Sequence, residues 1–452
     1  MNRLGAPGWL AAGILGLTGI ALRIHNAIQY PPDWGFDASF NWRYIYRLTR
    51  SWALPDPSAG WSTGDPPLYF YLGGAVMRGA KEAGNLNAAT VAIPLISTLA
   101  GLAVVALAVA LVRRAEPRNH ARAYLAGALL LFLPAHIQMS AMVSEEMLVA
   151  LLISIVLFAV APPALADTDR ARALRRAAGA GFAGGLAILT KLTGVLALVA
   201  AGGAYAVEGW RRRSWRPVAG PVSVMAAVAL AVGGWYYARN RIEYGYFQPH
   251  ALPAHELMFS MPPGERDLGD YLRVPLATWT DPQLLNPDLL RSVWGSTYAT
   301  VWFDGHRFFL PRDDDRVRRL GTATLLLALL PTLAFAVGLT RGARRAFRSG
   351  QSIDTPLLLI TGLTLAGYAF YTWRNPWFAA VKGTSLLGLS LPFAFYASEV
   401  LERWTRDRTP RAVLCWLLLA ALAIAASLSS TFDLLFEKSE ISGLLWRASE
   451  QP

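Results

Sequence analysis

Charged residues are scarce in this sequence. They make up 16% of the 452 residues, while 54% of the residues are hydrophobic, and an average soluble domain contains about 25% charged residues. Cysteine is nearly absent, and the single Cys415 excludes an intramolecular disulfide. With only six histidines beside it, we find no zinc-binding pattern. The chain has no G-x-x-x-x-G-K-[ST] run and no G-x-G-x-x-G motif after a predicted strand, so we find no nucleotide-binding site.

Long apolar runs recur from one end of the chain to the other, for example at residues 91–112 and 217–237. About 20 apolar residues are needed to cross some 30 Å of hydrocarbon, and inside lipid such a run must be helical. The sequence therefore predicts an all-α, polytopic membrane bundle with about eleven transmembrane helices. The predicted spans are 8–24, 91–112, 122–140, 146–163, 177–192, 193–208, 217–238, 320–340, 355–372, 377–398 and 411–430.

Arginine clusters occupy every second loop between these spans. They lie at residues 113–122, 170–176, 211–216, 341–348 and 403–411. Because short cytoplasmic loops are enriched in Lys and Arg, the clusters place the N-terminus of this multi-pass protein in the cytoplasm. The many Ala and Arg residues fit a bacterium with a GC-rich genome, and we therefore expect a bacterial inner membrane. The net charge of +12 is spread over loops rather than over one face, which argues against a nucleic-acid partner. Membrane lipids are the expected surroundings.

The opposite, outer face consists of two long loops, 25–90 and 239–319, and a short tail, 431–452. Long loops inside compact proteins are often functional, so residues 1–430 with both loops are predicted to form one transmembrane domain. Within the first loop, residues 67–78 are too short to span. They predict a helix lying in the membrane interface, with Tyr69, Phe70 and Tyr71 as interfacial aromatic residues.

Two aspartates of the first outer loop are candidates for chemistry. Asp37 follows Trp34-Gly35-Phe36 and opens a predicted helix, and Asp65 precedes Pro66-Pro67 at the start of another. A carboxylate at a helix N-terminus is favoured by the helix dipole, so each aspartate fits a helix cap. The alternative for Asp37 is a base or a cation ligand. Arg43, Arg47 and Arg50 follow Asp37 at helical spacing and suit lipid headgroups or a substrate phosphate.

Further ionisable residues lie at the outer ends of predicted spans. Glu145 and Glu146 are adjacent, and residues adjacent in a helix point about 100° apart, so one is expected to face the site and the other water. The cations of this face are Lys191, Arg239, Arg241, Arg374 and Lys382. They suit lipid headgroups individually, or together could hold an anion. Late in the second loop, Asp304 and His306 lie beside aromatic residues that suit either a sugar or lipid.

The order of these motifs resembles the GT-C class of membrane glycosyltransferases, in its protein O-mannosyltransferase and aminoarabinose transferase branch. The resemblance covers roughly residues 8–400. The matching segments are Asp37 after the first span, Asp65-Pro66-Pro67-Leu68-Tyr69, Glu145 or Glu146, Leu189-Thr190-Lys191-Leu192-Thr193-Gly194, Trp235-Tyr236-Tyr237-Ala238-Arg239-Asn240 and Val381-Lys382-Gly383. Ala38 stands where the family usually has a second acid, and Asp65 where it usually has His.

This resemblance implies an inverting transfer of a sugar from a polyprenyl-phosphate donor to the hydroxyl of a glycan, lipid or protein acceptor. Asp37 would be the general base. Asp65, Tyr69, Glu145, Glu146, Asp304 and His306 would position donor and acceptor. Lys191, Arg239, Arg241 and Lys382 would bind the lipid phosphate. No cofactor is expected, and a divalent metal shared by Asp37 and Asp65 is considered but not favoured.

Two other functions remain open on the sequence alone. One is a flippase for lipid-linked sugars or another transporter, although transporters usually carry ionisable residues at the bilayer midplane and these gather at helix ends. The other is a non-catalytic subunit for the assembly of an envelope polysaccharide. A scaffold of that kind should tolerate the loss of Asp37 and Asp65.

Overall fold

The computed structural model describes residues 6–161, 169–249, 264–348, 353–407 and 409–437, and within these ranges all regular structure is helical. The α-helices in chain order are α1 (Ala6–Gln29), α2 (Ala38–Arg50), α3 (Leu68–Glu82), α4 (Asn87–Ala115), α5 (His120–Leu131), α6 (Pro134–Met139), α7 (Glu146–Val160), α8 (Arg170–Thr190), α9 (Val195–Arg211), α10 (Arg216–Ala229), α11 (Trp235–Tyr244), α12 (Leu268–Leu272), α13 (Ala277–Thr280), α14 (Pro287–Leu290), α15 (Val293–Trp302), α16 (Asp315–Arg348), α17 (Asp354–Arg374), α18 (Ser390–Thr405) and α19 (Pro410–Ser430). A π-helical turn, Leu230–Gly234, joins α10 to α11.

Eight helical segments of the described residues are long and apolar enough to cross a membrane. They are Leu10–Gln29, Asn87–Ala115, Leu192–Arg211, Arg216–Tyr244, Asp315–Arg348, Asp354–Arg374, Phe378–Thr405 and Pro410–Ser430. Each overlaps one predicted span, so the prediction of an all-α, multi-pass membrane protein is confirmed. The count of eleven stays a prediction, because the spans 146–163 and 177–192 correspond to the 15-residue α7 and to the arginine-rich α8.

The predicted continuous span 122–140 is wrong. Helix α5 ends at Leu131 and α6 begins at Pro134, because proline cannot donate the hydrogen bond that would continue the helix. The last carbonyl groups of α5 lack the partners that a continuing helix would supply, and the guanidinium group of Arg23, fully buried on α1, takes their place. It donates to the carbonyls of Leu130 and Leu131, each at 3.0 Å.

The ends of the helices sort as the arginine clusters predict. At one end Asn26 of α1 donates to the carbonyl of Ser430 on α19 at 2.6 Å, and the Phe432 amide donates back to Asn26 at 2.9 Å. At the other end Arg345 pairs with Asp354 and Glu399, both at 2.8 Å. We call the end that carries both long loops the outer end.

Two amphipathic helices of the first long loop, α2 and α3, pack against each other at the outer end. Gly73 and Gly74 of α3 allow this contact, since a Cβ at Gly73 would lie 2.7 Å from the Ile45 side chain. The rings of Tyr44 and Phe70 stack with centroids 4.2 Å apart. The helix predicted at 67–78 is thus confirmed, but the prediction of Tyr69 and Phe70 as interfacial residues is wrong, because both are fully buried.

Candidate active site

Asp37 occupies a strained turn between α1 and α2. Its backbone is left-handed, with φ 54° and ψ 6°, and its side chain makes no capping hydrogen bond. A left-handed conformation costs a non-glycine residue about 1–2 kcal/mol, which the surrounding packing must offset. Its carboxylate, 42% exposed, instead lies 3.5 Å from Nζ of Lys382. Asp37 thus occupies the N-cap position of α2, as predicted, but its side chain does not cap the helix and faces an open space instead.

Asn41, which the sequence analysis passed over, holds this turn in place. The backbone amide of Asn41 donates to the Asp37 carbonyl at 2.9 Å. Its buried side chain donates to the Val143 carbonyl at 2.9 Å and accepts from the Ser62 hydroxyl at 2.7 Å. Asn41 therefore joins three segments around Asp37. The sequence did hold one indication of this role. Asn41 stands one helical turn after Asp37, and an amide side chain so close to a candidate base can hold the backbone around that base.

The space in front of Asp37 is a cavity of about 640 Å³ between the two long loops and the start of the segment 378–405. Its charged lining comprises one carboxylate, from Asp37, and the cations Arg43, Arg307, Arg312 and Lys382. Its aromatic lining comprises Phe36, Phe40, Trp61, Phe308, Tyr371, Trp377 and Phe378. Cations of this number favour an anionic ligand, and aromatic planes suit the apolar face of a sugar.

Lys382 is held rigidly at the edge of this cavity. The amide of the next residue, Gly383, donates to the Thr300 hydroxyl at 2.7 Å. A Cβ at Gly383 would lie 2.5 Å from the Val301 side chain, so only glycine permits this approach. The Lys382 ammonium lies 4.9 Å from the centre of the Phe36 ring, a cation–π contact. The Lys382 ammonium thus contacts both the Asp37 carboxylate and the Phe36 ring.

Glu145, Glu146 and Lys191 form a largely buried cluster that does not line the cavity. The Lys191 ammonium donates to Glu145 at 2.8 Å and to Glu146 at 2.7 Å. The expectation that one glutamate faces water is wrong, because both side chains are long enough to turn towards the same Lys191 ammonium. Burial raises the pKa of Glu145, but Lys191 outweighs that effect and lowers it overall. The cluster carries two negative charges and one positive.

Asp65 lies close to this excess negative charge. Its backbone carbonyl accepts a hydrogen bond from the Tyr236 hydroxyl at 3.1 Å, and its carboxylate accepts one from Gln248 at 3.4 Å. The capping residue of α3 is Pro67, so Asp65 does not cap the helix as predicted. Burial first, and then the charge of Glu145, raise the pKa of Asp65 to about 8. Near neutral pH this carboxyl group holds its proton.

Asp304 and His306 belong to one tight loop of the second outer segment. The Asp304 carboxylate accepts the backbone amides of Phe308, Phe309 and Leu310, at 2.9, 2.7 and 2.9 Å. Asp304 therefore shapes the loop and is not placed to touch a substrate. The loop directs the His306 ring into the cavity, 4.6 Å from the Phe36 ring. Burial, and then Lys382, lower the pKa of His306 to about 3, so its imidazole is neutral.

Three other residues proposed from the sequence lie outside the cavity. Tyr69 is buried against Ser97, with their hydroxyl oxygens 3.3 Å apart. Arg239 pairs with Glu243 at 2.8 Å, and Arg241 donates to the Gly245 carbonyl. In their place the cavity contains Arg43, which the sequence offered for a phosphate or for lipid, and Arg312, which it missed. Arg312 lies more than 250 residues after Asp37, in a loop with no periodic pattern of charges. Nothing in the sequence therefore indicated that the two residues share a cavity.

No group of three or more metal-ligating side chains is found among the described residues. Asp37 points to Lys382 and Asp65 to Gln248. The expectation of a reaction without a metal stays a prediction. Chemically, the arrangement offers one partly exposed carboxylate, fixed cations beside it and a neutral imidazole.

Residues 76–239 match the family model of the dolichyl-phosphate-mannose-protein mannosyltransferases. No curated protein sequence matches the chain significantly. Among solved structures, the Archaeoglobus fulgidus oligosaccharyltransferase in complex with Zn and sulfate has 17% identity and a TM-score of 0.55 over 93% of this chain and 53% of its own. The same archaeal enzyme, AglB, in complex with an inhibitory peptide and a dolichol-phosphate has 15% identity and a TM-score of 0.50, and the match covers 93% of this chain and 55% of that chain. ArnT from Cupriavidus metallidurans in the apo state has 16% identity and a TM-score of 0.43, and the match covers 90% of this chain and 81% of that chain.

The chain spans about half the length of the oligosaccharyltransferase chains that it matches. At this level of identity the likeness concerns the fold. The matched family segment contains Glu145, Glu146, Lys191 and Arg239, which carried the resemblance in the sequence. The resemblance is therefore confirmed, and the chain has the transmembrane fold of the GT-C glycosyltransferases, with a match to the dolichyl-phosphate-mannose-protein mannosyltransferase family over residues 76–239.

Proposed function

We propose that the chain is a glycosyltransferase that moves a sugar from a polyprenyl-phosphate donor to an acceptor hydroxyl. The observation that carries this proposal is the 3.5 Å pairing of Asp37 with Lys382 at the edge of a cavity rich in cations and aromatic rings. The carboxylate supplies a proton acceptor, and the ammonium and the arginine side chains of the same cavity supply ligands for an anion. A structural neighbour in complex with a dolichol-phosphate supports a lipid-phosphate donor.

The reaction divides between these two side chains. Asp37 takes the proton of the acceptor hydroxyl as its oxygen attacks the anomeric carbon. The bond from this carbon to the phosphate oxygen breaks, and the phosphate leaves with the bonding electrons. Lys382 and Arg43 stabilise the negative charge that develops on the phosphate, a device that is strongest where water is excluded. Attack opposite the leaving group inverts the anomeric configuration.

The neutral His306 suits a different task in the same cavity. Its Nε2 is buried and has no hydrogen-bond partner among the described residues. An unpaired polar atom in a buried position is costly unless a ligand satisfies it. We assign the His306 ring to contact with the sugar, beside the aromatic rings of the cavity; a small shift of the loop that uncovers Nε2 would let this atom bond a sugar hydroxyl. Asp304 acts indirectly by holding the loop that carries His306.

Lys191 and its two glutamates are assigned to positioning rather than to the phosphate. Two carboxylates already surround the Lys191 ammonium, so the cluster as a whole repels an anion. The cluster joins the start of α7 to the end of α8 behind Asp65. Asp65 and Tyr69 support the floor of the site in this scheme. Arg239 and Arg241 lie outside the cavity and suit lipid headgroups.

The membrane orientation is part of the proposal. We infer that the N-terminus and the arginine clusters face the cytoplasm of a bacterium, and that the cavity opens on the outer side of the inner membrane. The outer side has no supply of nucleotide sugars, which agrees with a lipid-linked donor. Labelling of a cysteine introduced at Asp313 by a membrane-impermeant reagent on intact cells tests this orientation. Labelling only after cell lysis would contradict it.

The decisive experiment uses the full chain in proteoliposomes with a radiolabelled polyprenyl-phosphate sugar and an extract of acceptors. Asp37→Asn keeps the size of the side chain but removes the base, and we expect transfer to fall by about 10²–10⁴-fold. Asp56→Asn is the matched control, because Asp56 lies in the same loop and its side chain, among the described residues, bonds to the neighbouring Ser58. Full transfer by Asp37→Asn would remove Asp37 from the reaction. Movement of the donor across the bilayer without cleavage would favour the flippase.

A further inference from the structure

A short stretch of the second outer loop presents apolar side chains that the described part of the chain leaves uncovered. In residues 268–276 the exposed fractions are 72% for Leu268, 84% for Leu272, 46% for Val274 and 73% for Leu276. Single exposed leucines are common on protein surfaces, but a contiguous apolar set usually marks a binding surface. We call residues 268–276 the leucine segment.

The leucine segment is anchored to a membrane-spanning helix. The Tyr271 hydroxyl lies 2.8 Å from the Thr372 hydroxyl and donates to the Ala369 carbonyl at 3.1 Å. The Tyr271 ring also packs against the Trp373 ring, with centroids 5.9 Å apart. All three partners lie in the last turns of α17, at its outer end. The segment therefore sits where α17 leaves the hydrocarbon.

The neighbouring surface of α17 is itself a lipid-facing surface. Phe370 is 68% exposed and Trp373 46% exposed, on a helix that is long and apolar enough to cross the membrane. Tryptophan is enriched at the level of the lipid headgroups. Because Tyr271 joins the two elements directly, the apolar surface of α17 continues into the leucine segment.

Ion pairs border the leucine segment. Arg291 pairs with Asp270 and Arg273 pairs with Asp288, each at 3.1 Å. Both arginine side chains are about half exposed, at 47% and 52%. Their partners Asp288 and Asp270 balance these charges, and Asp288 is itself 66% exposed. An apolar surface with a charged and hydrated border is typical of a segment that lies in the plane of the interface, at the level of the headgroups.

We propose that the leucine segment inserts into the outer leaflet of the bilayer, so that the second outer loop is attached to the membrane at its middle as well as at its two ends. The occupant of the apolar surface is lipid, not a second protein. This inference does not depend on the proposed transfer reaction. It gives the loop that carries Asp304 and His306 a fixed height above the membrane.

The chain offers a clean way to measure this depth. Its single cysteine, Cys415, is buried, so a cysteine introduced at an exposed position can be labelled selectively with an environment-sensitive fluorophore. The test places the label at Leu272→Cys and, separately, at Leu276→Cys in the full chain, reconstituted in vesicles of phosphatidylglycerol and phosphatidylethanolamine. Asp313→Cys, on the same outer face, is the control. Nitroxide-bearing lipids and aqueous iodide serve as the two quenchers.

We expect labels at residues 272 and 276 to be quenched by nitroxide lipids and protected from iodide, with the reverse at residue 313. Adding Leu268→Asp should move the label at residue 276 towards water and reduce its quenching by lipid. Quenching by iodide equal to that at residue 313 would overturn the proposal. Protection from both quenchers would show that protein covers the segment, and would overturn it as well.

Discussion

Replacing Lys191 with methionine separates two roles that this lysine could have. The substitution keeps the length of the side chain but removes the ammonium that lies 2.8 and 2.7 Å from Glu145 and Glu146. Two carboxylates, whose side chains are only 12% and 7% exposed, then remain together without a counter-ion. We expect Lys191→Met to lower the stability of the fold before it changes the affinity for the donor.

The expected loss follows from the burial of the three groups. Removing one partner from a buried ion pair costs about 3–5 kcal/mol, mainly because a charge is left uncompensated. Lys191 is 28% exposed, so water reaches part of the cluster and reduces the cost. One glutamate can also take up a proton. We therefore expect a loss of about 3 kcal/mol in the free energy of unfolding.

The assay is reversible unfolding of the purified protein in mixed micelles of dodecyl maltoside and increasing sodium dodecyl sulfate. The triple variant Lys191→Met, Glu145→Gln, Glu146→Gln is the control, because it removes all three charges. We expect it to recover most of the lost stability. Unchanged stability of Lys191→Met, together with a raised KM for the lipid-phosphate donor, would refute this reasoning and return Lys191 to the phosphate.

Three further perturbations follow from the same structure. The pKa of Asp65 is about 8 in the folded protein and 3.8 for the free side chain. Between these two pH values the native state binds more protons than the unfolded state, so the stability should fall as the pH rises. In measurements of the melting temperature against pH, Asp65→Asn should make this fall less steep. Arg23→Leu leaves the carbonyls of Leu130 and Leu131 buried without partners and should cost about 2–4 kcal/mol in the micelle assay, whereas Arg23→Lys should cost less. Asp304→Asn removes a charge shared by the amides of Phe308, Phe309 and Leu310, and should speed cleavage of the second outer loop by chymotrypsin while Asp313→Asn leaves the rate unchanged.

The helical membrane fold was predictable because length and apolarity decide it. A run such as 91–112 admits only one structure in lipid. The alternation of arginine clusters predicted which helix ends lie at the same side of the bundle. For the first and last helices, the hydrogen bond between Asn26 and Ser430 agrees with that prediction. The break before Pro134 was missed. Its stabilisation depends on Arg23, a residue more than 100 positions away.

The candidate site was predictable only in part. Asp37 and Lys382 were named from short motifs, and the structure brings them together. Whether a cation has a carboxylate partner is a property of packing, so Lys191 and Arg239 looked equivalent to Lys382 in the sequence. Asp304 was named as a ligand of the substrate because aromatic residues surround it. Its three amide partners follow it within six residues, but only a closed loop brings them to one carboxylate.

The hydrogen bonds that tie Asn26 to Ser430 and Phe432 have a consequence for synthesis. The first helix emerges from the ribosome some 400 residues before its partner exists. Throughout that interval it must wait in the bilayer, held by lipid and by whichever segments have already arrived. Assembly of this protein can therefore finish only after translation has nearly ended, and a chain released early would retain an unpaired amide side chain at the edge of the membrane.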